Sequence, residues 1–138
     1  MPPSSGRQFV LGIGLSANAD VDEAMALAET AIGLSGFDPR QLACLATIDR
    51  RGGDPVLIAL AQHLGTSIRR FDAAALEAET PRLKNPSVAL FDRIGCHGVA
   101  EAAALAAAGK DSILIVEKMT GRHVTAAIAG RPSDLLTG

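Results

Sequence analysis

Lys118 is the cation in this chain best placed by its neighbours to meet an anion. It follows Ser112 to Val116, a short β-branched and aliphatic run that predicts a buried strand. Ligands of open α/β sheets bind at the carboxyl ends of strands. An ammonium group at that position would therefore face a negatively charged ligand. Glu101 opens an alanine-rich helix predicted over Val99 to Ala108, where it complements the helix dipole. It could also pair with Lys118 and hold it in place. Gly12 and Gly14 end the first predicted strand, and Ser16 follows them. Glycine there would let an anion approach backbone N–H groups, and the Ser16 hydroxyl could donate to it. The pattern is short of a full GxGxxG, and an ordinary strand-to-helix turn explains it equally.

Thr47 and Asp49 close the second predicted strand at the same edge. Thr47 could hydrogen-bond a carboxylate. Asp49 could act as a base towards water or simply cap the loop. Asp49 and Glu101 are the two candidates for acid–base catalysis. Ser87 reads first as a helix cap, since a nucleophile would need an adjacent base. His97 sits in a glycine-rich turn beside Glu101, either as a site residue or as a solvated turn residue. Thr125, between Val124 and Ala126 on the last predicted strand, would point to the same side as Lys118. His63, His97 and His123 support no Ser-His-Asp arrangement, and His63 reads as structural. Cys44 and Cys96 lie far apart and form no metal-spaced pair, so no metal site is expected. Cys44 lies in an apolar run and reads as a small packed hydrophobe.

The elements that would position these residues alternate along the chain. Strands are predicted over Gln8 to Ile13, Gln41 to Ile48, Thr66 to Phe71, Ser112 to Val116 and His123 to Ala129. Helices are predicted over Val21 to Leu34, from Asp54-Pro55 to Leu64, over Asp72 to Glu79 up to Pro81, over Val88 to Ile94, and over Val99 to Ala108. Thr120-Gly121 turns the last two strands into a hairpin. The expected fold is α/β: a three-layer αβα domain with a mixed, mostly parallel sheet and an antiparallel C-terminal hairpin. Residues 1–138 read as one domain, with an ordered core over about 8–130 and a polar tail from Arg131 to Gly138.

Composition narrows the function. The chain has 138 residues, is 48% hydrophobic and carries a net charge of −2. Four Phe, with no Trp or Tyr, leave no stacking platform for single-stranded nucleic acid, and there is no basic footprint for a duplex. No apolar run nears the roughly 20 residues that cross a bilayer. The opening MPPSSGRQ lacks a basic region followed by a hydrophobic stretch, so a cytoplasmic location is expected.

Several segments together resemble the CobE / CbiG carboxyl-terminal domain family of cobalamin biosynthesis. They are Gly12-Ile13-Gly14, Ala46-Thr47-Ile48-Asp49, Ala59-Leu60-Ala61 before Leu64-Gly65, and Ser87 in its Asn-Pro-Ser segment. The fullest match is Gly98-Val99-Ala100-Glu101-Ala102-Ala103-Ala104-Leu105, continuing through Lys118 to Val124-Thr125-Ala126-Ala127-Ile128-Ala129. The resemblance covers about residues 8–130. Two loops depart from the family pattern. Leu15-Ser16-Ala17-Asn18 carries no positive charge after the Gly-x-Gly. The second loop carries Arg50, Arg51 and Asp54 where a lysine and then an acid are usual.

The resemblance implies a role in corrin-ring assembly. CbiG-type proteins open the δ-lactone of a cobalt-precorrin-5 intermediate with loss of acetaldehyde, and they carry amino-terminal regions that this sequence lacks. A stand-alone domain of this kind is implied to belong to the aerobic route, in which cobalt enters late. A precorrin is a flat apolar macrocycle ringed by acetates and propionates. Holding it takes N–H donors, hydroxyls, a few cations and an apolar floor. The expected function is to bind or carry such an intermediate, in a cleft between Gly14, Thr47 and Lys118, with no cofactor of its own. A precorrin lactone hydrolase and a docking partner of another pathway enzyme are the alternatives.

Overall fold

The computed structural model describes residues 9–131. Five strands form one sheet in the order β3-β2-β1-β5-β4. They are β1 (Phe9–Leu15), β2 (Leu42–Ile48), β3 (Ile68–Phe71), β4 (Ile113–Thr120) and β5 (Val124–Gly130). β1, β2 and β3 pair in parallel, while β5 runs antiparallel to both β1 and β4. The sheet is mixed, as the alternating pattern predicts. The carboxyl ends of β1 to β4 and the amino end of β5 consequently share one edge, referred to below as the carboxyl rim.

The described residues also form five helices: α1 (Val21–Ser35), α2 (Pro55–Leu64), α3 (Ala73–Glu77), α4 (Val88–Ile94) and α5 (Ala100–Ala108). Aspartates start three of them. Asp20, Asp54 and Asp72 accept from the backbone N–H of Glu23, Val56 and Ala75, satisfying donors that a helix cannot pair internally. Gly36, with φ 81°, closes α1 in the left-handed conformation that glycine adopts without a Cβ penalty.

The two faces pack differently. On one, Ala24, Ala28, Ala31 and Ile32 of α1 and Leu57 and Leu60 of α2 meet Leu11, Ile13, Leu45, Val116 and Ile128 of the sheet. On the other, the alanine-rich α5 meets Val10, Ala46 and Ala129. A Cβ on Gly12 would run into the Ala100 carbonyl and come within 2.9 Å of the Ala104 nitrogen. Gly12 therefore serves the close approach of helix to sheet. At the far end of α5, Arg82 donates to the carbonyls of Leu105, Gly109 and Ser112, tying the helix end to the turn that follows it.

Two boundaries differ from the sequence reading in ways that matter for the site. β1 continues to Leu15, so Gly12 and Gly14 lie inside the strand and not in a turn. β4 continues to Thr120, so Lys118 is a strand residue, still near the carboxyl rim. Pairing with β5 carries the strand past its apolar stretch. Gln8 and the tail from residue 132 lie outside the described residues.

Candidate functional site at the carboxyl rim

The rim brings together several candidates from distant parts of the chain. Gly14 pairs with Thr125 across the β1–β5 ladder, and Thr120 pairs with Thr125 from the other side. A Cβ on Gly14 would strike the Thr125 hydroxyl and lie 3.5 Å from Val99 Cβ. Gly14, Thr125 and the residue preceding α5 thus form one small surface. Lys118 lies beside the start of α5, its backbone N–H 2.9 Å from Glu101 Oε2 and its Nζ 3.5 Å from the Asn85 carbonyl. Ser16 is exposed one residue beyond β1, and its Oγ lies 3.2 Å from His123 Nδ1. Asp49 is exposed at the start of a 3-10 turn, Asp49–Arg51.

Other candidates are committed elsewhere. Thr47 is fully buried, and its hydroxyl donates to the Ile13 carbonyl at 2.7 Å. It ties β2 to β1 and has no face towards a ligand. Ser87 caps α4, accepting from Leu90 N–H at 3.1 Å. Glu101 is 3% exposed and does not meet the Lys118 ammonium. Its carboxylate accepts from the backbone N–H of Lys84, Asn85 and Lys118 and from the Asn85 side-chain amide. Burial pushes this carboxyl up, but those donors together hold it below its ordinary value. Glu101 is the buckle of the rim, with no free oxygen to offer as a base.

His97 is not beside Glu101 either. Its partner is Glu77, on α3. Both Glu77 oxygens lie within 3.0 Å of His97 Nδ1, and Oε1 also accepts the His97 backbone N–H at 3.0 Å. The His97 hydrogen bond lowers the Glu77 carboxyl below its ordinary value, with Thr80 contributing through its hydroxyl. The Phe91 ring stacks on the imidazole, with centroids 4.5 Å apart. Next to it, Cys96 is wholly buried, and burial pushes its thiol up, leaving it a packed hydrophobe.

A third glutamate acts at the rim. Glu23 of α1 accepts from the backbone N–H of His123 and Val124, at 2.7 and 3.1 Å. Glu23, Glu77 and Glu101 each reach from a helix to hold backbone donors of a rim segment. The sequence reading missed Glu23 and Glu77, because nothing in their local spacing marks a partner tens of residues away. It also gave no site role to Arg50 and Arg70, both exposed near this edge. Arg70 folds over Gly52, where a Cβ would collide with its guanidinium. Neither arginine has a carboxylate partner among the described residues.

A concavity lies elsewhere on the sheet. A cleft of about 270 Å³ opens at the opposite edge of the sheet, between Phe9, Ala43 and the end of α5 near Gly109 and Lys110. It contains none of the predicted site residues. Among the described residues, no group of histidines, cysteines or carboxylates could hold a metal ion, and no helix is long and apolar enough to cross a membrane.

A parallel–antiparallel αβα sheet with an alanine helix laid on a Gly-x-Gly strand defines a recognisable class. The chain belongs to the cobalamin synthesis G C-terminus family, whose model matches residues 9–129. It is similar to protein CobE from Sinorhizobium sp, with 45% identity over 126 residues, 91% of this chain and 82% of that one. It is also similar to the crystal structure of CobE, a protein from the cobalamin biosynthetic pathway. The TM-score there is 0.81 at 32% identity, covering 89% of both chains. Cobalt-precorrin-5A hydrolase from Priestia megaterium is 27% identical over 130 residues, 93% of this chain but 34% of the hydrolase. The chain thus spans about a third of that relative. Family membership makes this a protein of cobalamin biosynthesis.

Proposed function

We propose that the chain binds a tetrapyrrole polycarboxylate intermediate of corrin-ring assembly at its carboxyl rim and carries it between enzymes. The observation that supports this most is the convergence of Gly14, Thr125, Val99 and Lys118 on one edge, in segments fixed by three glutamates. Fixed segments cost little further ordering when a ligand arrives. Lys118, Arg50 and Arg70 supply positive charge for the ring's carboxylates. Ser16 and Thr125 supply hydroxyls. The half-exposed Phe91, 40% accessible, offers apolar surface to the macrocycle.

The Lys118 ammonium has only a long contact to the Asn85 carbonyl and is available to a ligand carboxylate. Titrating the protein with a metal-free corrin polycarboxylic acid, followed by absorption, tests the reading. Lys118→Ala is expected to weaken binding by about 1–3 kcal/mol, the range for a charged hydrogen bond. The variant should also show a shallower salt dependence. Unchanged affinity and salt dependence would remove Lys118 from the site. The cytoplasmic location belongs to the same proposal.

A further inference from the structure

We propose that His97 catalyses a proton shift in the conjugated imine–enamine system of the ligand bound at the rim, with Glu77 as its positioning residue. The inference rests on the binding reading above and adds a chemical step to it. The ring is held from three sides. Glu77 grips Nδ1 with both oxygens, the same carboxylate anchors the His97 backbone N–H, and Phe91 stacks on the imidazole. The carboxylate can only accept, so Nδ1 carries the hydrogen and the lone pair of the neutral ring sits on Nε2. Nε2 has no hydrogen-bond partner among the described residues. The side chain is 23% exposed. His97 stands two residues before Val99, which packs at Gly14.

A carboxylate-oriented imidazole with its second nitrogen open is arranged for proton transfer. No hydroxyl or thiol among the described residues hydrogen-bonds Nε2, so it is not set to activate a protein nucleophile and acts on the ligand directly. Phe91, 40% exposed and stacked on the imidazole, borders it with apolar surface suited to a flat macrocycle.

The step balances without oxidant or reductant. Nε2 takes a proton from a ring carbon conjugated to a C=N bond. The C–H electron pair becomes a C=C bond, and the C=N π pair moves to nitrogen. The imidazolium, facing the Glu77 carboxylate, returns the proton to another atom of the conjugated system. The product is an isomer of the same formula.

The test is deuterium uptake at carbon by a metal-free corrin polycarboxylic acid in heavy water, read by mass spectrometry with ligand saturated by protein. The protein is expected to accelerate uptake. His97→Ala should slow it by about 100-fold, the lower range for losing an acid–base group, and added imidazole should restore part of the rate. Glu77→Gln should lower the rate at saturation more than it changes the half-saturating concentration. Binding without acceleration, or full acceleration in His97→Ala, would overturn the proton shift alone. Failure of the ligand to bind the unaltered protein would overturn the binding reading and this inference together.

Discussion

Two glutamates fasten the two ends of one segment, residues 84–97, and they do it differently. Glu101 holds the start. It is buried, and every donor it accepts from is an amide, at Lys84, Asn85 and Lys118. Glu77 holds the end. A third of its side chain is exposed, and one of its donors is a side-chain imidazole. Between them the segment is pinched shut by Ser87 N–H donating to the His97 carbonyl at 2.7 Å, and it carries α4, in which no residue is buried. The same residue type thus makes a permanent fastening where all partners are backbone and amide. Where one partner is an imidazole at a partly open site, the fastening also orients a ring. The difference gives Glu101 a structural task and leaves Glu77 the positioning of His97 proposed above.

The largest effect should come from breaking the permanent end. Glu101→Ala leaves the part-buried N–H groups of Lys84, Asn85 and Lys118 without their acceptor, at about 1–3 kcal/mol each where water cannot replace the carboxylate. A loss of more than about 3 kcal/mol in urea unfolding is expected. Glu77→Ala should cost measurably less stability, since its site is open to water, while disturbing His97. Equal losses in the two variants would erase the distinction.

Acid should sharpen the comparison. Both carboxyls lie below their ordinary value of 4.5 in the folded chain. A depressed carboxyl contributes stability that is fully present above its unfolded value and is lost as pH falls through its folded value. Unfolding free energy should therefore drop as pH is lowered from neutrality through 4.5 and below. In Glu101→Gln that drop should be smaller, because one of the depressed carboxyls is gone. A variant that tracks the unaltered protein at every pH would show that Glu101 carries no such linkage.

The smallest expected effect lies between the two fastenings. Ser87→Ala removes the α4 cap and should cost about 1 kcal/mol, within the usual range for such caps. With both ends still held, His97 should keep its place, and its ring NMR signals should be unchanged. A large shift of those signals would mean that the cap, and not the glutamates, orders the segment.

Much of the scaffold was legible in the sequence because it depends on local patterns. The helix starts at Asp54, Asp72 and Ser87 follow from short polar residues ahead of helical runs, and the structure uses all three as caps. The alternation of strands and helices gave the layers. The placement of β5 between β1 and β4 was not legible, because it is set by long-range pairing. Gly12 and Thr47 show the same limit within the proposed site. Their residue types fit a ligand edge, but Gly12 makes room for α5 and Thr47 bonds to Ile13. His97 reads from the sequence as a site residue or a solvated turn residue beside Glu101, with no partner assigned to it. The partner is Glu77, brought close only once α3 and the segment before α5 have packed.

The central claim, that ligand is held at the carboxyl rim, is tested most directly by mapping backbone amide NMR shifts while a metal-free corrin polycarboxylic acid is added. The account predicts shifts concentrated at Gly14, Ser16, His97, Lys118 and Thr125, with the far end of α5 undisturbed. Shifts confined to Ala107 through Lys110, beside the opposite cleft, would contradict it.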